Sequence, residues 1–166
     1  MKKFFAFLLT LTLMFTNGIA VLAEEVEMPP ADQISSNPNY ASYTWIAPLN
    51  GGSQAGTNEV GEDGLQIVMV QASISKGGNS ISATATTDTN ILADISCTIH
   101  IQRWKNNKWN NYSSHYFLDF DTSSTTESVT VSVEPGYYYR VAVLHMADTL
   151  YSTVTAGSTT GSVYVN

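Results

Sequence analysis

The stretch "ISCTIHIQ" constrains this chain more than any other. Ile95, Cys97, Ile99 and Ile101 alternate with Ser96, Thr98, His100 and Gln102. A strand sends successive side chains to opposite faces, so this pattern makes one face apolar and the other polar. A helix would scatter the same residues around its axis. From residue 65 onward the signal recurs, with Thr, Ser and Val dominant and turn formers about every ten residues. Gln66–Ile74 reads as a strand with Val68, Val70, Ala72 and Ile74 in phase, and "SKGGNS" turns the chain. Ser80–Thr87 follows with Ile81, Ala83 and Ala85 in phase, and "TDTN" breaks it. Beyond the isoleucine strand, Lys108–Phe120 returns antiparallel and "DTSSTT" turns again. Val129, Val131 and Val133 mark a further strand, "EPG" makes a corner, and Tyr139, Val141 and Val143 lie in phase after it. The last strand ends at Val163–Val165, with Gly157 and Gly161 as bulges or bends. The expectation is an all-β domain of about seven antiparallel strands, a two-sheet sandwich, with a barrel as the alternative. No helix and no internal repeat is expected.

The first residues read as an address. Met1, Lys2 and Lys3 are followed by an apolar run from Phe4 to Phe15, then by Val21-Leu22-Ala23. A basic start, an apolar middle and a small-x-small end form a secretory signal, with cleavage expected after Ala23. Asn17 and Gly18 interrupt the apolar run, which disfavours a retained anchor. The close "SVYVN" has no apolar tail, so no C-terminal anchor is expected. The chain is expected to be extracellular, with no membrane contact after cleavage.

Removing 23 of 166 residues leaves 143, enough for one domain with a core. Lys2 and Lys3 leave with the signal. Five basic side chains then face 14 acidic ones, a net charge of −9. Such a surface repels nucleic acid and anionic membranes. Cys97 is the one cysteine, so no internal disulfide forms, a pattern that suits bacterial export. Residues 24–61 read as an irregular, acidic, Pro/Gly-rich lead before a domain at 62–166. Within the lead, the aromatic "YASYTWIAP" either adds a strand to the domain or stays apart from it.

The corner narrows the fold. "PGYYYRV" fits the Pro-Gly-x-x-Tyr-x-Val pattern of fibronectin-like and immunoglobulin-like domains. There a tyrosine at the start of the penultimate strand bonds back to the backbone, and Tyr139 takes that place. The run "IHIQRWKNNKWNNYSS…VTVSVEPGYYYRVAVLH…GSVYVN", within about residues 66–166, resembles small secreted proteins of Gram-positive bacteria grouped as domains of unknown function. The resemblance implies secretion and an immunoglobulin-like sandwich. It implies no activity.

Reactive groups are sparse. "GGSQAG" at 51–56 has Ala55 where a nucleophile elbow needs its second glycine. "SISK" at 73–76 would need a helical turn to bring Lys76 beside Ser73. Asp119 and Asp121 share a face but lack the further oxygens that calcium needs. Cys97 falls on the isoleucine face, where it acts as a small apolar residue. No catalytic residue, cofactor or metal is therefore expected.

One surface stands out. In "QRWKNNKW" a two-residue turn at Asn106-Asn107 sets Lys105 opposite Lys108 and Trp104 opposite Trp109. The same register sets His100 opposite Ser113 and Thr98 opposite His115, making His100 and His115 diagonal neighbours, with His145 on another strand. Two exposed indoles beside Gln102, Asn111 and His100 form a candidate ligand platform; the same pair also serves simply to hold the hairpin. The expected function is a non-catalytic secreted module that binds a glycan or a protein outside the cell. A structural protein assembling through strand edges is the alternative, and a small extracellular hydrolase ranks below both.

Overall fold

The computed structural model describes residues 26–46 and 60–166. The expected secretory signal with its expected cleavage point after Ala23, and the "GGSQAG" run, lie outside them. A single 3-10 turn, Ala31–Gln33, precedes seven strands: β1 Tyr40–Ile46, β2 Ile67–Gly77, β3 Ser80–Lys105, β4 Lys108–Ser132, β5 Tyr137–Asp148, β6 Thr153–Thr159 and β7 Val163–Val165. The strand pairings are antiparallel throughout, and all seven strands join one sheet. Among the described residues there is no α-helix.

Two expected breaks are bends instead. "TDTN" lies inside β3, and "DTSSTT" lies inside β4. The ladder between these strands is irregular from Asp88 to Ile95, and Asp121 stands at φ 50°. Polar side chains take over backbone bonds there. The Thr89 hydroxyl donates to the Ile91 carbonyl at 2.7 Å, and the Asp121 N–H donates to Asp94 Oδ1 at 3.0 Å. The chain therefore changes direction without leaving its partner. The first half of β3 pairs with β2 and its second half with β5, while β4 flanks both halves.

Folding at this bend encloses the core. Ala72, Ile74, Ile81, Ala83 and Ala85 from one half meet Cys97, Ile99, Ile101, Tyr139, Val141 and Val143 from the other. A second cluster of Leu65, Ile67, Val70, Ala93, Ile95, Ala147, Val154 and Ala156 fills the bend end. The alternation read for β2 needs one correction. A register shift between Ile67 and Met69 puts Ile67 in the core and leaves Val68 half-buried.

The lead is not irregular over its whole length. Within it, β1 pairs with β2 from Tyr40↔Ser75 to Ile46↔Met69. Just upstream, Ser162 is gripped by two backbone bonds: Ser35 N–H donates to its carbonyl at 2.9 Å, and its own N–H donates to the Gln33 carbonyl at 2.7 Å. The lead therefore runs along the β6–β7 side of the sheet.

Candidate functional site

Asn106 and Asn107 both stand at φ 57°, the geometry of a primed hairpin turn. Asparagine tolerates the left-handed region better than most side chains, because its short amide bonds locally. The turn pairs Lys105 with Lys108 and Trp104 with Trp109. The indoles meet edge to face, with centroids 5.2 Å apart and planes 64° apart. Two exposed indoles are not what results. Trp104 is only 8% exposed and Trp109 is half-buried. The lead explains part of this. Gln33 Oε1 accepts a 2.7 Å bond from Trp109 Nε1, and Arg140 stacks over the Trp109 ring at 4.4 Å. The buried Trp104 N–H has no hydrogen-bond partner among the described residues.

The polar groups of the platform are engaged with one another. Gln102 Nε2 donates to Asn111 Oδ1 at 2.9 Å, and Gln102 Oε1 accepts from Arg140 Nε at 2.8 Å. His100 Nδ1 lies 2.7 Å from the Ser114 hydroxyl. That contact exposes an error of one residue in the expected register. His100 pairs with Ser114, not Ser113, and His115 pairs with Ile99, not Thr98. The cause is Tyr112, an extra residue in β4 between Asn111 and Ser113. Its ring turns into the core and meets Tyr139 edge to face at 5.6 Å. His100 and His115 consequently point to opposite faces of the sheet.

The inner face closes at the corner. The Tyr139 hydroxyl donates to the Glu134 carbonyl at 2.8 Å, and Gly136 stands at φ 90° between them. Arg103 forms a 2.6 Å ion pair with Glu134 and stacks on Tyr137 at 4.7 Å. Burial pushes the Tyr139 hydroxyl up to about 12, so it stays a donor.

Reactive side chains elsewhere are quenched. Cys97 is buried beside a carboxylate region, and burial, with Glu127 and Asp119 nearby, pushes its thiol up to about 12. A thiol held there is not a nucleophile at neutral pH. His145 is fully buried, its Nδ1 and Nε2 each 2.7 Å from a hydroxyl, Thr87 and Ser158. Burial lowers its pKa to about 4, so the ring is neutral, with one nitrogen donating and the other accepting. Asp119 faces inward and accepts from the Thr125 hydroxyl, whereas Asp121 sits on the bend. Burial and then Asp119 hold the Glu127 carboxyl above its usual range. Among the described residues, no group of three His, Cys, Asp or Glu side chains is arranged to hold a metal.

Sequence reasoning passed over a different surface. Tyr116, Leu118 and Phe120 alternate along the outer face of β4 and are 61%, 41% and 70% exposed. Thr98 of β3 pairs with Tyr116 on one side and with Leu144 of β5 on the other, and Leu144 is 51% exposed. The apolar stripe thus lies on β4, with Leu144 two strands away across the polar Thr98. Its signal was legible in "HYFLDF": apolar residues stand at both phases, so one set must face outward.

No family model, curated protein or solved structure matches the chain.

Proposed function

We propose that this chain is a secreted, non-catalytic module with an immunoglobulin-like β-sandwich fold, and that it acts by binding a protein outside the cell. The fold part of the reading is supported by the folded antiparallel sheet and by the Tyr139–Glu134 corner bond. Export is supported by the basic, apolar and small-residue order of the first 23 residues and by the resemblance to small secreted Gram-positive proteins. The observation that carries the function is the exposed Tyr116–Leu118–Phe120 stripe on β4. Contiguous exposed apolar surface of this kind marks contact with a partner, and large aromatic side chains are typical anchors. A glycan at the tryptophans is less well supported, because Gln102 and Asn111 bond each other and Trp104 is covered.

Binding of the labelled secreted chain to intact cells of the producing organism tests this. Tyr116→Ser/Leu118→Ser/Phe120→Ser is expected to abolish binding with the fold intact. Binding that survives this triple variant but is lost with Trp109→Ala would move the site to the hairpin and favour a sugar ligand.

A further inference from the structure

We propose that the partner of this surface is a second copy of the same chain, joined edge to edge through β4 in an antiparallel pairing centred on Phe117. The proposal rests on the protein-contact reading above and names its partner.

The edges of the sheet differ in how they are protected. The β6–β7 side is held by the lead at Ser162, and β1 is only seven residues long and lies against β6. In contrast, β4 runs 25 residues and pairs with β3 alone. A free edge carries backbone donors and acceptors ready for another strand, and proteins blunt it with lysine, proline, brevity, bulges or inward-pointing charges; of these, β4 has the bulge at Tyr112 and the inward-facing Asp119. From Trp109 to Ser132, β4 contains no Lys, Arg or Pro. The extra residue at Tyr112 and the bend at Asp121 leave a regular stretch, Ser113–Phe120, which is also where the apolar stripe lies.

Charge then selects the occupant and the register. Asp119 lies close enough to Glu127 to help hold the Glu127 carboxyl above its usual range, and neither forms an ion pair among the described residues. A pairing of two copies must be centred on a residue if outer face is to meet outer face. Centred on Phe117, it sets His115 of each copy opposite Asp119 of the other, twice by symmetry. It sets Tyr116 against Leu118 on the outer face, so the two stripes merge into one. Nowhere in Ser113–Asp121 does this register place like charges opposite each other. The contact is self-complementary, as a two-fold interface requires.

Sedimentation velocity of the secreted chain across a concentration series, with two sets of variants, tests the proposal. The unmodified chain is expected to show a dimer. Tyr116→Lys/Leu118→Lys is expected to give a monomer with unchanged circular dichroism, since both positions are exposed. Tyr116→Cys mixed with Leu118→Cys is expected to cross-link on oxidation faster than either variant alone; Cys97, being buried, does not interfere. A chain that stays monomeric, a dimer indifferent to the lysine pair, or faster cross-linking by a single variant alone would overturn the proposal. A monomeric chain that still binds cells through the stripe removes self-pairing but leaves the contact function standing. A monomer that binds nothing removes both.

Discussion

The hydroxyl of Tyr139 reaches back five residues to the carbonyl of Glu134, 2.8 Å away, and ties the start of β5 to the end of the chain's longest hairpin. Tyr139 is fully buried, while Glu134 at the other end of the bond is exposed. Tyr139→Phe is expected to cost about 1 kcal/mol, because it removes one intramolecular hydrogen bond to the Glu134 carbonyl. Urea unfolding reads this directly. An unchanged midpoint would mean that the bond contributes nothing.

Trp104 and Trp109 separate in the same assay. Trp104→Ala leaves a large cavity and is expected to cost about 3 kcal/mol. Trp109→Ala removes a half-buried ring held by Gln33 and Arg140 and is expected to cost less. Soluble glycans are expected to leave the tryptophan fluorescence unchanged. A saturable shift with any of them would restore the sugar-platform reading.

The turn makes a sharper demand. Alanine at Asn106 or Asn107 must adopt φ near 57°, which is expected to cost about 1–2 kcal/mol at each position. Glycine at Asn107 is expected to be tolerated or slightly stabilising. Thermal melts of the three variants rank them, and equal melting of alanine and glycine variants would contradict the assigned turn.

Acid stability carries the mark of His145. Its folded pKa, about 4, lies below the ordinary value of 6.5. The unfolded chain therefore takes up a proton between these values that the native chain refuses. Stability from this residue is complete above pH 6.5 and falls as the pH drops toward 4, by about 3 kcal/mol in all. Glu127, whose folded pKa is raised, acts in the opposite sense and loses stability as the pH rises through the carboxylate range. The urea midpoint of His145→Gln, compared with the parent from pH 7 to pH 4, isolates the histidine. A variant with the parent's full slope over that range would show that other groups cause it.

Cys97 gives a labelling test. With its thiol pushed up to about 12 inside the core, it is expected to resist a thiol reagent in the native protein and to react fully in urea. Rapid labelling without denaturant would mean that β3 opens locally.

What could be read from residues alone was set by locality. Ile95 to Ile101 announced a half-buried strand because each face has its own chemistry, and the Asn106-Asn107 turn fixed its nearest pairs, Lys105–Lys108 and Trp104–Trp109. The bends at Thr89 and Asp121 were read as turns, because Thr, Asp and Asn serve both by satisfying nearby backbone groups. The extra residue at Tyr112 was invisible. It is stabilised by Tyr139 and Arg103, which lie far away in sequence or across the strand pair. The cover over Trp109 depends on Gln33, 76 residues upstream. The stripe at Tyr116, Leu118 and Phe120 was in plain view, but Phe117 competes with it for the inward phase.

Because β3 and β4 pass through both halves of the sheet, the two halves share one ruler. The hairpin is measured out from Asn106 and Asn107, and the same pair of strands later aligns Ala83 with Val129 and Ile81 with Val131. A slip of two residues at the turn would be carried along the ladder unless the bend absorbed it, and would misalign a core more than twenty residues away. The two asparagines therefore act as the zero mark of the whole molecule, and the irregular stretch at Asp88–Ile95 is where an error in that mark has room to be corrected.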